Sequence, residues 1–243
     1  MMRVCAAQIH SIPGDINANL QKHVKAIELG AFHGCDLIFF PELSLTGYEP
    51  TLSKALAFDV ESPKLDLFQN LSDTHKMTLL MGAPTKQNQD IFISMFIFQA
   101  GKPRLCYSKQ FLHADELPYF NAGQESVFLQ TNDQIIAPAI YYESLLPHHA
   151  ETAFNAGAHI YLASVAKSEK GIRKAYEHYP GIAQKYRLTV LMSNVVGPCE
   201  DFMAGGSSAV WNHHGILIDH LGPEEVGLLI YNTLTEEIRK VYL

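Results

Sequence analysis

"DLIFFPELSLTGY", residues 36–48, decides the architecture. Four apolar residues, Leu37 to Phe40, run unbroken into Pro41, as a strand does when both of its faces are covered. Glu42 then stands just past the strand's C-terminal end, where α/β folds place ligands and reactive groups. Partial burial there disfavours the carboxylate and lifts its pKa towards the range useful to a general base. The plainer reading is that Glu42 caps the tight Thr46–Gly47 turn, and spacing alone leaves both open.

Outward from this stretch, short β-rich runs alternate with amphipathic ones. "RVCAAQI" (3–9) reads as a strand, and "NANLQKHVKAIELGAFHG" (17–34) as a helix with Leu20, Val24, Ile27 and Ala31 on one face. Asp15 or Asn17 can cap its start and Gly34 can end it. A second helix runs from Ser62–Pro63 to about His75. Strands follow at 77–83, 91–98 and 104–108, with "TKQNQD" (85–90) as an exposed hairpin loop. "QIIAPAI" (134–140) leads into a helix near 148–156, then a strand at 159–165, a helix around 181–187 and a strand at 189–196. The end holds "SSAVW", a turn at "NHHG", "ILI" and "EVGLLIYN". Alternation early and mostly strands later indicate an α/β layered body, read as one domain over residues 1–243.

Composition narrows the function. Of 243 residues 47% are apolar and 18% charged, which suits a compact enzyme-like body and not a disordered chain. A net charge of -7 without any basic run argues against nucleic acid as a partner. Cys5, Cys35, Cys106 and Cys199 lie far apart with no C-x-x-C pair, which reads as reduced thiols in the cytoplasm. The N-terminus lacks a signal peptide's long apolar segment, and no stretch is long enough to cross a bilayer, so no membrane association is expected. Twelve histidines include no i, i+4 pair of the helical zinc type, and no metal is expected.

Two further segments put ionisable or polar groups at strand ends. In "CYSKQFLHADELPYFNAG" (106–123), Lys109 follows a strand and Glu116 sits in a loop. A Lys desolvated beside a carboxylate can hold a developing oxyanion, although a surface Lys in a polar loop is the plainer reading. In "IAPAIYYESLLP" (136–147), an apolar strand opens into a polar turn, the usual display point for a reactive side chain. The residue displayed there is Tyr141.

Taken in order with "VCAAQIHSIPGDINANL", "FNAGAHIYLASVA", "SNVVG", "GGSSAVWNHHG" and "EEVGLLIYNTLTEEIRK", these segments resemble the nitrilase superfamily of carbon–nitrogen hydrolases over nearly the whole chain. The resemblance implies an α/β fold, a four-layer α-β-β-α sandwich of the nitrilase type. It also implies pairing through an outer helical layer into a homodimer or larger homo-oligomer. Members cleave amides, nitriles or N-carbamoyl groups without a cofactor, using a Glu base, a Lys that stabilises the tetrahedral intermediate, and a Cys nucleophile. The base falls on Glu42, the Lys on Lys109 and a second, positioning Glu on Glu116. The nucleophile's setting reads Ile140, Tyr141, Tyr142, Glu143, so Tyr141 stands where the family has Cys.

A thiol ionises near pH 8.5 and a phenol near about 10, and the thiolate is much the better attacking group. The ring either fills the space meant for the acyl carbon or swings out and leaves it empty. Loss of a nucleophile from a preorganised hydrolase costs on the order of a millionfold in turnover. The leading expectation is therefore a pseudoenzyme that binds a small amide-like or nitrile-like molecule or forms an assembly. Glu42 and Lys109 would persist because removing one member of a buried ion pair costs roughly 3–5 kcal/mol, and the Tyr141 hydroxyl is expected to bond to either one. The alternative keeps an active hydrolase in which Glu42 and Lys109 work on water. Cys199 in "GPCED" is a conceivable migrated nucleophile, opposed by the charges of Glu200 and Asp201. A purely structural module, with the helix near 148–156 as its interface, is the third class.

Overall fold

The computed structural model describes residues 1–131 and 133–243. In chain order, β1 (Arg3–Gln8), β2 (Leu37–Phe39), β3 (Thr78–Gln87), β4 (Asp90–Phe98) and β5 (Leu105–Ser108) build most of a first sheet. β6 (Leu129–Thr131), β7 (Gln134–Ile140), β8 (Ile160–Val165) and β9 (Thr189–Asn194) begin a second. The small hairpin β10 (Val196–Cys199) and β11 (Phe202–Gly205) precedes β12 (Ala209–Trp211) and β13 (Leu217–His220), which complete the second sheet. β14 (Gly227–Asn232) and β15 (Ile238–Tyr242) return to the first.

The first sheet has the order β15-β14-β1-β2-β3-β4-β5 and the second β13-β12-β9-β8-β7-β6. Each has a parallel centre, β1-β2-β3 and β7-β8-β9 respectively, with antiparallel strands outside it. Helices α1 (Ile16–Phe32) and α3 (Asp66–His75), with the single-turn α2 (Ser53–Leu56) between them in sequence, belong to the first half; α4 (Pro147–Asn155) and α5 (Glu169–Tyr186) belong to the second.

Strand alternation explains the layering. Val4, Ala6, Leu37 and Phe39 point into a central core shared with Ile160, Leu162 and Leu191 of the other sheet. Their sequence neighbours Cys5, Ala7, Ile38 and Phe40 point the other way, against α1 and α3. In the second sheet Tyr161, Ala163 and Val165 pack outward with Tyr179 and Ile182 of α5. Both faces of both sheets are thus covered, and the strands read as continuous apolar runs for that reason. The result is the expected four-layer α-β-β-α sandwich. At the carboxyl ends of the parallel strands the sheets are tied together by Ser164 Oγ donating to the Phe40 carbonyl at 2.8 Å.

Several elements depart from the sequence reading. The loop expected at 85–90 is strand instead: Thr85, Lys86 and Gln87 pair with Phe92, Ile91 and Asp90, leaving Asn88 and Gln89 to turn the chain. Asn88 accepts the left-handed conformation, with φ of +57°, that so tight a turn requires. The helix expected around 181–187 begins at Glu169, capped by Ser168, and continues through Pro180. Proline removes one rung but does not end a helix whose Ile172, Ala175, Tyr179, Ile182 and Ala183 are already buried. On α1, Asp15 caps as expected, but the innermost face carries Asn19 and His23 beside Ala26 and Ile27, and the apolar stripe at Leu20 and Val24 lies at its flank. Asn19 bonds to the backbone of Ile12 and Leu45, and His23 bridges the Asn19 carbonyl and Ser44 Oγ. These polar groups fasten α1 to the turn that carries Glu42.

Candidate functional site

Glu42 sits in the turn that follows β2. The turn lies directly on β3 at Gly82, where an added Cβ would come within 2.4 Å of the Leu43 nitrogen and 2.7 Å of the Pro41 carbonyl oxygen. Only glycine permits that approach. Thr46 Oγ1 closes the turn on the carbonyls of Leu43 and Gly47, so Glu42 is not needed as its cap. The carboxylate turns inward instead.

Lys109 follows β5, its backbone held by Lys109 N donating to the Ile93 carbonyl and Gly123 N donating to the Lys109 carbonyl, both at 2.8 Å. Its Nζ donates to Glu42 Oε1 at 2.9 Å and to Glu116 Oε1 at 2.6 Å. Glu116 is oriented in turn by the Tyr48 hydroxyl, 3.2 Å from Oε1, and by His113 N, 2.8 Å from Oε2. The structure therefore joins the three charged residues singled out in the sequence, and none is more than 2% exposed. Burial, stronger than the opposing attraction of Lys109, lifts Glu42 to about 8, and its Oε2 is buried without a hydrogen bond. Burial works against the Lys109 charge too, but the Glu42 and Glu116 carboxylates outweigh it and raise that pKa.

Tyr141 opens a single 3₁₀ turn, Tyr141–Leu145, at the end of β7. Its φ of +47° is a left-handed conformation that a bulky residue adopts only when its surroundings enforce it. Glu143 supplies much of that enforcement. Its Oε1 accepts from Ile140 N at 2.7 Å and from the Tyr107 hydroxyl at 2.6 Å, and its Oε2 accepts from Gln110 N at 2.7 Å. The turn is thereby bolted to the segment carrying Lys109. Ser144 Oγ adds a bond to the Tyr141 carbonyl and pairs with the Tyr179 hydroxyl at 2.7 Å.

The expected bond from the Tyr141 hydroxyl to Glu42 or Lys109 is not formed: the Lys109 ammonium donates to the two carboxylates, and Glu42 Oε2 stays without a partner. Contact runs through the ring instead, whose centroid lies 4.8 Å from Lys109 Nζ and 4.3 Å from Lys167 Nζ. Burial, followed by the charges of Glu42, Glu116 and Asp115, moves the phenol further above its ordinary pKa. A cavity of about 370 Å³ opens beside the ring. Its mostly polar lining includes the rings of Tyr48, Tyr119, Tyr141 and Phe202 and the carboxylates of Asp115, Glu200 and Asp201. Glu42, Lys109 and Glu116 do not line it, and two wall residues touch the charged cluster: Tyr48 through its hydroxyl on Glu116 Oε1 and Tyr141 through its ring on Lys109.

The family model for carbon–nitrogen hydrolases matches residues 3–242. The chain belongs to that family. Among curated relatives, this carbon–nitrogen hydrolase family member is 26% identical over 229 residues to the glutamine-dependent NAD(+) synthetase of Thermotoga maritima, covering 90% of this chain and 40% of the relative. The chain thus spans well under half the length of that protein. Among solved structures, the NitN amidase from Nesterenkonia sp. AN1 superposes with a TM-score of 0.88 at 22% identity, covering 97% of this chain and 94% of that one. A mutant of the same amidase, with the acetamide moiety of fluoroacetamide covalently added at its active site cysteine, superposes with a TM-score of 0.86 at 22% identity over 94% and 89% of the two chains. The likeness establishes a nitrilase-superfamily fold.

Two site residues of this family member escaped the sequence reading. Lys167 lies just past β8, 2% exposed, with its backbone clasped by the Asn194 side chain at 2.7 and 3.1 Å. Burial lowers its pKa to about 8, and the neighbouring Lys109 charge adds to that against the pull of Glu42 and Glu116. Its signal was the one that marked Glu42, a charged residue directly after an apolar strand. Glu143 was legible as an acidic residue after Tyr141, but its role as a brace needs the fold. Cys199 is 1% exposed and is raised to about 12 by burial and then by Glu49, Glu42 and Asp201, which leaves no thiolate at neutral pH. Among the described residues, no group of three or more His, Cys, Asp or Glu could hold a metal ion, and no helix is long and apolar enough to cross a membrane.

Proposed function

We propose that this protein is a pseudoenzyme of the carbon–nitrogen hydrolase family, binding a small amide-like or nitrile-like ligand without cleaving it through a covalent intermediate. The observation that carries the reading is the placement of Tyr141. By the resemblance of residues 136–147 we read it as standing at the family's nucleophile position, and its ring makes a cavity wall while Glu42, Lys109 and Glu116 stay outside the lining. A phenol whose pKa is raised further by burial and three nearby carboxylates does not supply an attacking anion at neutral pH. Near-attack geometry tolerates little displacement, and the ring holds its oxygen well beyond the reach of a cysteine sulfur.

One observation favours a second reading. Glu42, at about 8 and with Oε2 free of partners, has the properties of a base that could activate water. Against it, Glu42 is 2% exposed and does not line the cavity, so water and substrate would need another way in. Ammonia release from a broad panel of amides and nitriles tests both. The pseudoenzyme reading expects no release above the buffer blank. Robust turnover that disappears in Glu42→Gln establishes the water-activating hydrolase instead.

A further inference from the structure

Resting on the reading of this cavity as a ligand site, we infer that it selects a ligand bearing an organic cation, an alkylammonium or guanidinium group, seated among its aromatic rings and its carboxylates. Three features combine. The first is the cavity itself, whose volume of about 370 Å³ suits a small molecule. The second is its aromatic wall. Tyr48 and Phe202 meet as a corner, with ring centroids 5.7 Å apart and planes at 64°, and Tyr119, 40% exposed, adds a third ring. Aromatic faces carry negative potential and attract a desolvated cation without demanding a fixed direction of approach.

The third feature is charge. Asp115, Glu200 and Asp201 line the cavity, and among the described residues no Lys or Arg pairs with any of them. Glu200 Oε1 is engaged by Thr51, and Asp115 meets the ring of His113. Among the described residues, none forms a hydrogen bond with the Asp201 side chain. Lys109 and Lys167, 0% and 2% exposed, lie against the Tyr141 ring, and the Lys109 ammonium is held by Glu42 and Glu116. An anionic ligand would meet unpaired carboxylates and no available ammonium. A cationic one would meet complementary charge from Asp115, Glu200 and Asp201. The same negative field is felt by the wall phenols, since Glu42, Glu116 and Asp115 all add to burial in raising Tyr48 and Tyr141.

Calorimetric titration of the whole chain at pH 7.5 and low salt, with n-butylammonium, butyramide and butyrate as size-matched probes, tests the inference. The cation is expected to bind about tenfold or more tightly than butyramide, with butyrate weakest, and to lose affinity as salt rises. Asp201→Asn and Tyr119→Ala, both at exposed positions, should each weaken n-butylammonium several-fold and butyramide much less. Butyramide or butyrate binding as tightly as the cation, or no binding by any of the three, overturns the inference. Those results leave the absence of hydrolysis untouched, whereas ammonia release from butyramide overturns the pseudoenzyme reading and leaves the charge preference standing.

Discussion

The charged cluster and Tyr141 are neighbours held in opposite ways. Glu42, Lys109 and Glu116 are gripped by their side chains, the buried Lys109 ammonium donating to both carboxyl groups. Tyr141 is gripped by its backbone: Glu143 and Ser144 fix the turn, and its side chain touches the cluster only through a ring face. The difference shows which parts of such a site are free to change. Removing one charge strands the others, while exchanging the side chain at 141 breaks no hydrogen bond. On the proposed reading, the site keeps Glu42 and Lys109 for structural reasons while Tyr141 takes the place of a nucleophile.

The largest effect should come from the gripped side chains. Lys109→Met leaves Glu42 and Glu116 without their shared cation and should destabilise the fold by about 3–5 kcal/mol in chemical denaturation. A loss below about 1 kcal/mol would erase the contrast. Next is the brace: Glu143→Gln sets an amide donor against a backbone N–H or the Tyr107 hydroxyl, and should cost about 2–3 kcal/mol.

A pH effect separates the charges within the cluster. The native state holds the Glu42 proton up to about pH 8, while the unfolded chain releases it near the ordinary 4.5. That contribution to stability is whole below pH 4.5 and is lost as pH rises through 8. Glu42→Gln removes this loss, so its stability relative to wild type should improve between pH 5 and 8, by at most about 1.4 kcal/mol per unit. Lys109, raised above its usual value, contributes evenly across that window, and the lowered pKa of Lys167 acts mainly above pH 8. Parallel Tm profiles for the two proteins would show that burial does not govern Glu42. The smallest effect should be Tyr141→Phe, within about 0.5 kcal/mol, since the ring and its cation contacts are kept.

Legibility in the sequence followed the same division. The strand–Pro–Glu pattern marked Glu42 as a candidate from local physics but left the turn-cap reading open until the resemblance supplied its role. Lys109 and Glu116 looked like surface residues of a polar loop until the resemblance supplied their roles, because the ion pair joins residues 67 positions apart. Lys167 and the brace of Glu143 depend on where β8 and the segment after β5 arrive in space. The long helix hid behind Pro180, and the inner face of α1 hid behind Asn19 and His23, polar residues whose burial is tolerated only because the Glu42 turn satisfies them. The identity of Tyr141 was plain from the start. That its ring forms a cavity wall was not.

Trapping with a haloacetamide at neutral pH, read by peptide mass spectrometry on the native protein, tests the central claim most directly. The wild type should carry no adduct at position 141 or at Cys199, and Tyr141→Cys should acquire a single acetamide group at position 141. A stoichiometric adduct within the wild-type cavity, lost in Glu42→Gln, would contradict the account.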